Sequence, residues 1–144
     1  MKARSTLQAA AAAATLMIFA TAAEGQDIPN LVGTWKGTAQ AIFVGANPSR
    51  PSEQNGPVFS GNPLEFTFVI KEQRDNRISG QSSDGKRSEN LIGAISPNNL
   101  GGIILDDDGQ YLFTIRDSDT LDTCYSHQNL SSKVVACYTW KRQK

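Results

Sequence analysis

Leu31-Val32-Gly33-Thr34-Trp35-Lys36-Gly37-Thr38-Ala39-Gln40-Ala41-Ile42-Phe43-Val44 changes character at every step. Trp35, Gly37, Ala39, Ala41 and Phe43 share one face, and Lys36, Thr38 and Gln40 share the other. A period of two is that of a half-buried β-strand. Glycines and alanines on the inner face predict tight curvature, as a barrel needs.

The chain beyond it reads as further strands. Residues 45–63 hold four prolines and three glycines. No strand or helix is expected at that density, and a long loop there is either functional or disordered. A second strand covers Leu64–Lys71, with Leu64, Phe66, Phe68 and Ile70 on one face. Asp75-Asn76-Arg77 turns into a third strand near Ile78, with Ile70 opposite Ser82. Asp84-Gly85 is a tight-hairpin signal. It pairs Ser83 with Lys86 and Ile78 with Leu91, and it starts a fourth strand at Arg87–Ile95. Ser96-Pro97-Asn98-Asn99 leads to a fifth, Leu100–Leu105. Asp107-Asp108-Gly109 suits a three-residue turn with glycine left-handed. That register sets Leu105 against Tyr111 and Ile103 against Phe113. Strand six is Gln110–Arg116. Asp117-Ser118-Asp119 leads to strand seven, Thr120–His127, and Asn129-Leu130-Ser131-Ser132 to strand eight, Lys133–Arg142.

The expected fold is therefore all-β, an eight-stranded antiparallel up-and-down barrel. Eight is the strand number at which a meander closes and loses its edges. An open sandwich is the alternative. The last hairpin ties the register down. Pairing Cys124 with Cys137 sets Tyr125 against Ala136, Thr123 against Tyr138 and Leu121 against Trp140. Those six side chains share the inner face, and the cysteines share the outer one. An even cysteine count in an exported chain predicts one disulfide.

Export is read from the first residues. Lys2 and Arg4 precede an alanine-rich run from Ala9 to Ala23 containing Leu16, Met17, Ile18 and Phe19. This pattern is that of a signal peptide over residues 1–25, cleaved near 23–25, ahead of a single domain at 26–144. The run is too short to anchor in a bilayer, so no membrane span is expected after cleavage. The 144-residue chain carries 14 basic and 14 acidic side chains. Losing Lys2, Arg4 and Glu24 leaves a net charge of about −1, with no basic patch for nucleic acid. The expected location is secreted or periplasmic.

At Gly33-Thr34-Trp35 the chain resembles the calycin superfamily, the lipocalins and avidins. The resemblance implies that Trp35 closes one end of the barrel. It also implies that a basic residue near the end of the last strand, Arg142 or Lys141, packs on that ring. Gly33 and Trp35 carry over as structural residues. Avidins hold biotin with a polar residue two positions after the tryptophan and a hydroxyl six after it. Gly37 and Ala41 stand there, so biotin binding of that kind is not implied.

If Trp35 marks the closed end, strand direction sends residues 45–63 and the turns at 84–85, 107–109 and 129–132 to the open end. The upper interior then holds Phe43, Leu64, Phe66, Arg87, Glu89, Leu105, Tyr111, Phe113, Tyr125 and His127. An apolar wall with a few polar groups is the chemistry of a small-molecule pocket. A barrel filled by its own side chains is the competing expectation. His127 could serve as an acid–base group near Glu89 or Arg87, but it reads as an ordinary polar position. Asp106-Asp107-Asp108-Gly109 reads as a solvated turn, not a calcium loop. Asn129-Leu130-Ser131 is a glycosylation sequon at an exposed turn. No hydrolase, zinc or phosphate-loop motif occurs, and no cofactor is implied. The expected function is a non-enzymatic barrel that binds a small apolar ligand in its calyx. The alternative is a protein–protein module such as a periplasmic protease inhibitor, acting through a loop or arm.

Overall fold

The alternation that begins at Leu31 does build a strand, but the strand breaks once. The computed structural model describes residues 27–45 and 56–144. The expected signal peptide over residues 1–25 and the stretch 46–55 lie outside the described residues. Strands β1 (Gly33–Ala39) and β2 (Ile42–Gly45) share one stave of the barrel, interrupted at Gln40-Ala41. Both pair antiparallel with the last strand, β10 (Ser132–Arg142). β1 also pairs with β4 (Leu64–Arg74). The break is bridged by a side chain: the Ala41 N–H donates to Ser60 Oγ at 2.7 Å, and the Ser60 N–H donates to the Ala41 carbonyl at 2.9 Å. A two-residue β3 (Val58–Phe59) runs beside β2. Residues 45–63 therefore do contribute strand, contrary to expectation, because ladder bonds to β2 satisfy a backbone that proline density alone would leave irregular.

From β4 the chain runs as a meander through β5 (Arg77–Ser83), β6 (Ser88–Ile95), β7 (Gly101–Leu105), β8 (Gln110–Asp117), β9 (Thr120–Gln128) and β10. Pairing of β1 with β10 closes the sheet. The fold is an all-β, closed, eight-staved antiparallel barrel. No helix of the described residues is long and apolar enough to cross a membrane.

Three registers differ from the sequence expectation. Ile70 pairs with Gly80, not Ser82. A bulge between Ile70 and Glu72 absorbs one residue, so Ile70 and Ile78 both face inward across a two-residue turn. At the next turn Ser83 pairs with Ser88 and Gly80 with Leu91. The Asp84 carboxylate accepts the Lys86 and Arg87 N–H groups at 2.9 and 2.8 Å. It thereby holds a four-residue loop where Asp84-Gly85 alone suggests two. That shift is by two residues, so every side chain keeps its face. The third shift is by one. Leu105 pairs with Gln110, Ile104 with Tyr111 and Gly102 with Phe113. Asp106 accepts the Gly109 N–H at 2.6 Å, which makes the turn four residues long, and Gly109 is not left-handed among the positive-φ residues. A one-residue slip turns a strand over. Leu105 (43% exposed) and Ile103 therefore face solvent, while Ile104 (0%) is in the core.

The last hairpin keeps its expected register throughout, and Cys124–Cys137 form the outward disulfide. Such a bond fits folding in an oxidising compartment.

The lower half of the barrel is filled. Trp35, Phe68, Ile70, Ile78, Leu91, Ile95, Ile104, Phe113, Leu121 and Trp140 pack there. Each large side chain so buried contributes roughly 1.5–3 kcal/mol. Phe68 stacks on Trp140 with ring centroids 3.6 Å apart, and Tyr111 meets both rings edge-on at 5.5 and 5.4 Å. The closed end is pinned by Arg142. Its guanidinium lies 4.1 Å from the Trp35 ring centre and donates to the carbonyls of Val32 and Asn30 at 2.7 and 2.8 Å. Gly33 has φ +142, and a Cβ there would stand 2.9 Å from the Arg142 guanidinium. Only glycine suits both constraints.

Candidate functional site

Above the Phe68–Trp140–Tyr111 layer the interior opens. The strands end there in the 84–87, 106–109 and 129–132 turns. They leave a cavity with about 80 Å³ that water-sized molecules can occupy, several times the minimum for one water. The competing expectations each hold for one half: the barrel is filled below and open above.

Strand order sorts the lining into two opposed walls. Adjacent staves β10, β1–β2 and β4 supply Val134, Ala136, Ala39, Ala41, Phe43, Leu64 and Phe66. That wall is hydrocarbon. Across from it, β5 to β9 and their turns supply Ser82, Asp84, Arg87, Glu89, Asp106, Asp108, Tyr111 and Tyr125. Tyr138, beneath the mouth, packs on Phe66 at 6.1 Å between centroids.

Glu89, Asp106 and Asp108 converge, each offering a carboxylate oxygen within 4.8 Å of the others. Asp106 arrives there because the one-residue register shift turns it inward in place of Leu105. Burial, then the charges of Asp106 and Asp108, push the Glu89 carboxyl up to about 7, with Arg87 pulling weakly the other way. Glu89 also shares a hydrogen bond with Asp106. Like charges held this close favour a retained proton or a bound cation. Tyr125 donates its hydroxyl to Asp108 Oδ1 at 2.8 Å, and Tyr111 bonds to Asp106. Burial first, then nearby negative charge, raises both phenols above their ordinary range. They remain neutral donors.

Seven of the ten expected pocket residues line the cavity: Phe43, Leu64, Phe66, Arg87, Glu89, Tyr111 and Tyr125. Three do not. Leu105 points outward for the reason given. Phe113 is buried in the filled core opposite Gly102. His127 is buried beside the cavity and belongs to the turns. Its Nδ1–H donates to the Asp108 carbonyl at 2.7 Å, and Nε2 lies 2.8 Å from Ser132 Oγ and 3.0 Å from Asn129 Nδ2. Such a pattern fits the Nδ1–H tautomer. Neither Ser132 nor His127 lines the cavity, so the group locks two turns together. Nor does His127 stand as an acid–base partner to Glu89 or Arg87.

Among the lining residues that the sequence did not point to are Asp106, Asp108 and Tyr138. The Asp106–Asp108 run looked like a solvated turn, and only Asp107 of the three stays apart from the cavity. Tyr138 was legible from the Thr123–Tyr138 pairing, which already placed it on the inner face. The carboxylates could hold a cation, though two of them already accept tyrosine hydroxyls.

No model of a known protein family matches the chain, and no curated protein matches it. Among solved structures it is similar to an S-type phycobiliprotein lyase, CPES from Guillardia theta, at 10% identity. The match covers 79% of this chain and 89% of that one, with a TM-score of 0.37.

Proposed function

We propose that this protein is an exported, non-enzymatic β-barrel that binds a small ligand in the open half of its interior. The single observation behind the reading is the cavity itself, walled by hydrocarbon from β10, β1–β2 and β4 and capped by polar groups opposite. Pockets of this make-up seat the apolar part of a ligand and orient it with few polar contacts. The Trp35–Arg142 pairing and the Gly33-Thr34-Trp35 signature support placing the barrel with the calycins. The disulfide and the alanine-rich leader support export. Native mass spectrometry of protein purified from its source is the test. A co-purifying small molecule, lost on denaturation, is the expected result; a bare mass at full occupancy of the fold argues against the reading.

A second reading, a protein–protein module, draws on the outer face. Ile92 pairs with Leu105 and Ile103 with Leu112 across β6, β7 and β8, and all four are exposed. Contiguous exposed apolar side chains are a feature of interaction surfaces. Capture of an exported protease by the intact protein, abolished by Leu112→Lys, would favour it.

A further inference from the structure

The calyx reading leaves the chemical class of the ligand open, and the two walls narrow it. The geometry points to an organic cation as the ligand: a compact apolar body against Phe43, Leu64 and Phe66, with a protonated amine among Glu89, Asp106 and Asp108. The inference rests on the cavity being a ligand site.

Any occupant that fills the cavity strips water from the carboxylates across from the hydrocarbon wall. Desolvating ionised carboxylates without a counter-charge is costly. A neutral apolar molecule brings no compensation, and an anion adds repulsion to the loss. Arg87 is the one basic residue of the lining, and it is exposed in the 84–87 loop. It brings one positive charge against the three carboxylates of Glu89, Asp106 and Asp108. An ammonium group carries three donors on a compact charge, matching three carboxylate oxygens within 4.8 Å of one another. Tyr111 and Tyr125, with ring centroids 4.8 Å apart, add aromatic surface of the kind that attracts organic cations. A bare divalent ion suits the site less well. Calcium takes six to eight oxygens, commonly with water, whereas here two carboxylates already accept tyrosine hydroxyls and the facing wall is hydrocarbon.

The test is isothermal titration of the unaltered protein at about pH 8 with phenethylamine, phenethyl alcohol, phenylacetate and calcium chloride, each alone. The expected result is that the amine binds at least about tenfold more tightly than the alcohol, a difference of about 1.4 kcal/mol, and that phenylacetate does not bind. In Glu89→Gln/Asp106→Asn the gap between amine and alcohol should shrink below about twofold. An alcohol that binds as well as the amine overturns the cation and leaves the calyx standing. Failure of all three organic probes overturns the calyx reading and the inference together. Calcium that binds in the micromolar range and competes with the amine assigns the carboxylates to a metal and overturns the inference.

Discussion

Arg142 sets its guanidinium 4.1 Å from the centre of the Trp35 ring and ties the first strand to the last. The same side chain reaches the Val32 and Asn30 carbonyls, gives its Nε–H to the Ser118 carbonyl at 2.9 Å and lies 3.2 Å from Asp119. Arg142→Ala should cost about 2–4 kcal/mol, combining a cation–π contact with charge-assisted hydrogen bonds to backbone. Arg142→Lys should recover less than half, since an ammonium cannot reach all of these acceptors from one position. Urea unfolding at neutral pH reads both. A loss below about 0.5 kcal/mol for the alanine variant would show that the closed end is held by packing alone.

Stability should fall between about pH 4.3 and 7 because of Glu89. Its carboxyl is pushed up to about 7 in the folded protein, against about 4.3 in an unfolded chain. Between those values the folded state keeps a proton that the unfolded state has released. Raising the pH therefore favours unfolding across this window. Below it the carboxyl is neutral in both states and costs nothing. Glu89 is partly solvated, so screening reduces the effect to about 1–2 kcal/mol. Glu89→Gln should be the more stable protein at pH 8 and should lose this slope. Matching urea midpoints for the two proteins at pH 5 and pH 8 would remove the carboxylate cluster as a source of strain.

Removing the disulfide with Cys124→Ala/Cys137→Ala should lower stability by about 3 kcal/mol, given the short loop that it closes. The barrel should persist, because Leu121, Thr123, Trp140 and their neighbours hold the same register from the inner face. Circular dichroism and chemical denaturation test the two halves of this statement. An unfolded double variant would make the bond a condition of the fold.

Ala41→Leu should block the cavity with little effect on stability. Ala41 lies half-buried on the hydrocarbon wall near the mouth, where added methyl groups extend into open space. Uptake of phenethylamine should drop by at least about tenfold, with unfolding changed by less than about 1 kcal/mol. Undiminished uptake would put the ligand elsewhere.

The register at Asp106–Gly109 can be tested with two lysines. Leu105→Lys should be tolerated within about 0.5 kcal/mol, whereas Ile104→Lys should unfold the barrel by burying an unpaired charge. The reverse order would restore the register that the Asp107-Asp108-Gly109 pattern suggests.

That turn also shows how far the fold can be read from sequence. Alternation in Leu31–Val44, Leu64–Ile70 and Thr120–Arg142 identifies the strands and their inner faces, because burial acts on every second residue. The Cys124–Cys137 pairing locks one hairpin outright. Turn length is not legible in the same way. At 84–87 and 106–109 an aspartate carboxylate satisfies backbone N–H groups that a shorter turn would have paired in the ladder, and sequence pattern does not weigh such local bonds. An error of two residues at the first turn is harmless to the inner face. The error of one at the second places Leu105 in a pocket that Asp106 occupies, and so replaces an apolar contact by a charge. The chemistry of the cavity lining thus depends on a single turn more than on any strand.

The division of the first stave between β1 and β2, both resting on β10, has a consequence for folding. Arg142 reaches Val32 across 110 residues of sequence. Without β10 in place, β1 has only β4 beside it, and β2 lacks the strand that spans the break. A chain short of β10 can build a meander with two raw edges, but it cannot make a vessel. Closure needs the first strand and the last together, contacts of the long-range kind that slow folding, and the cavity comes into being only with it.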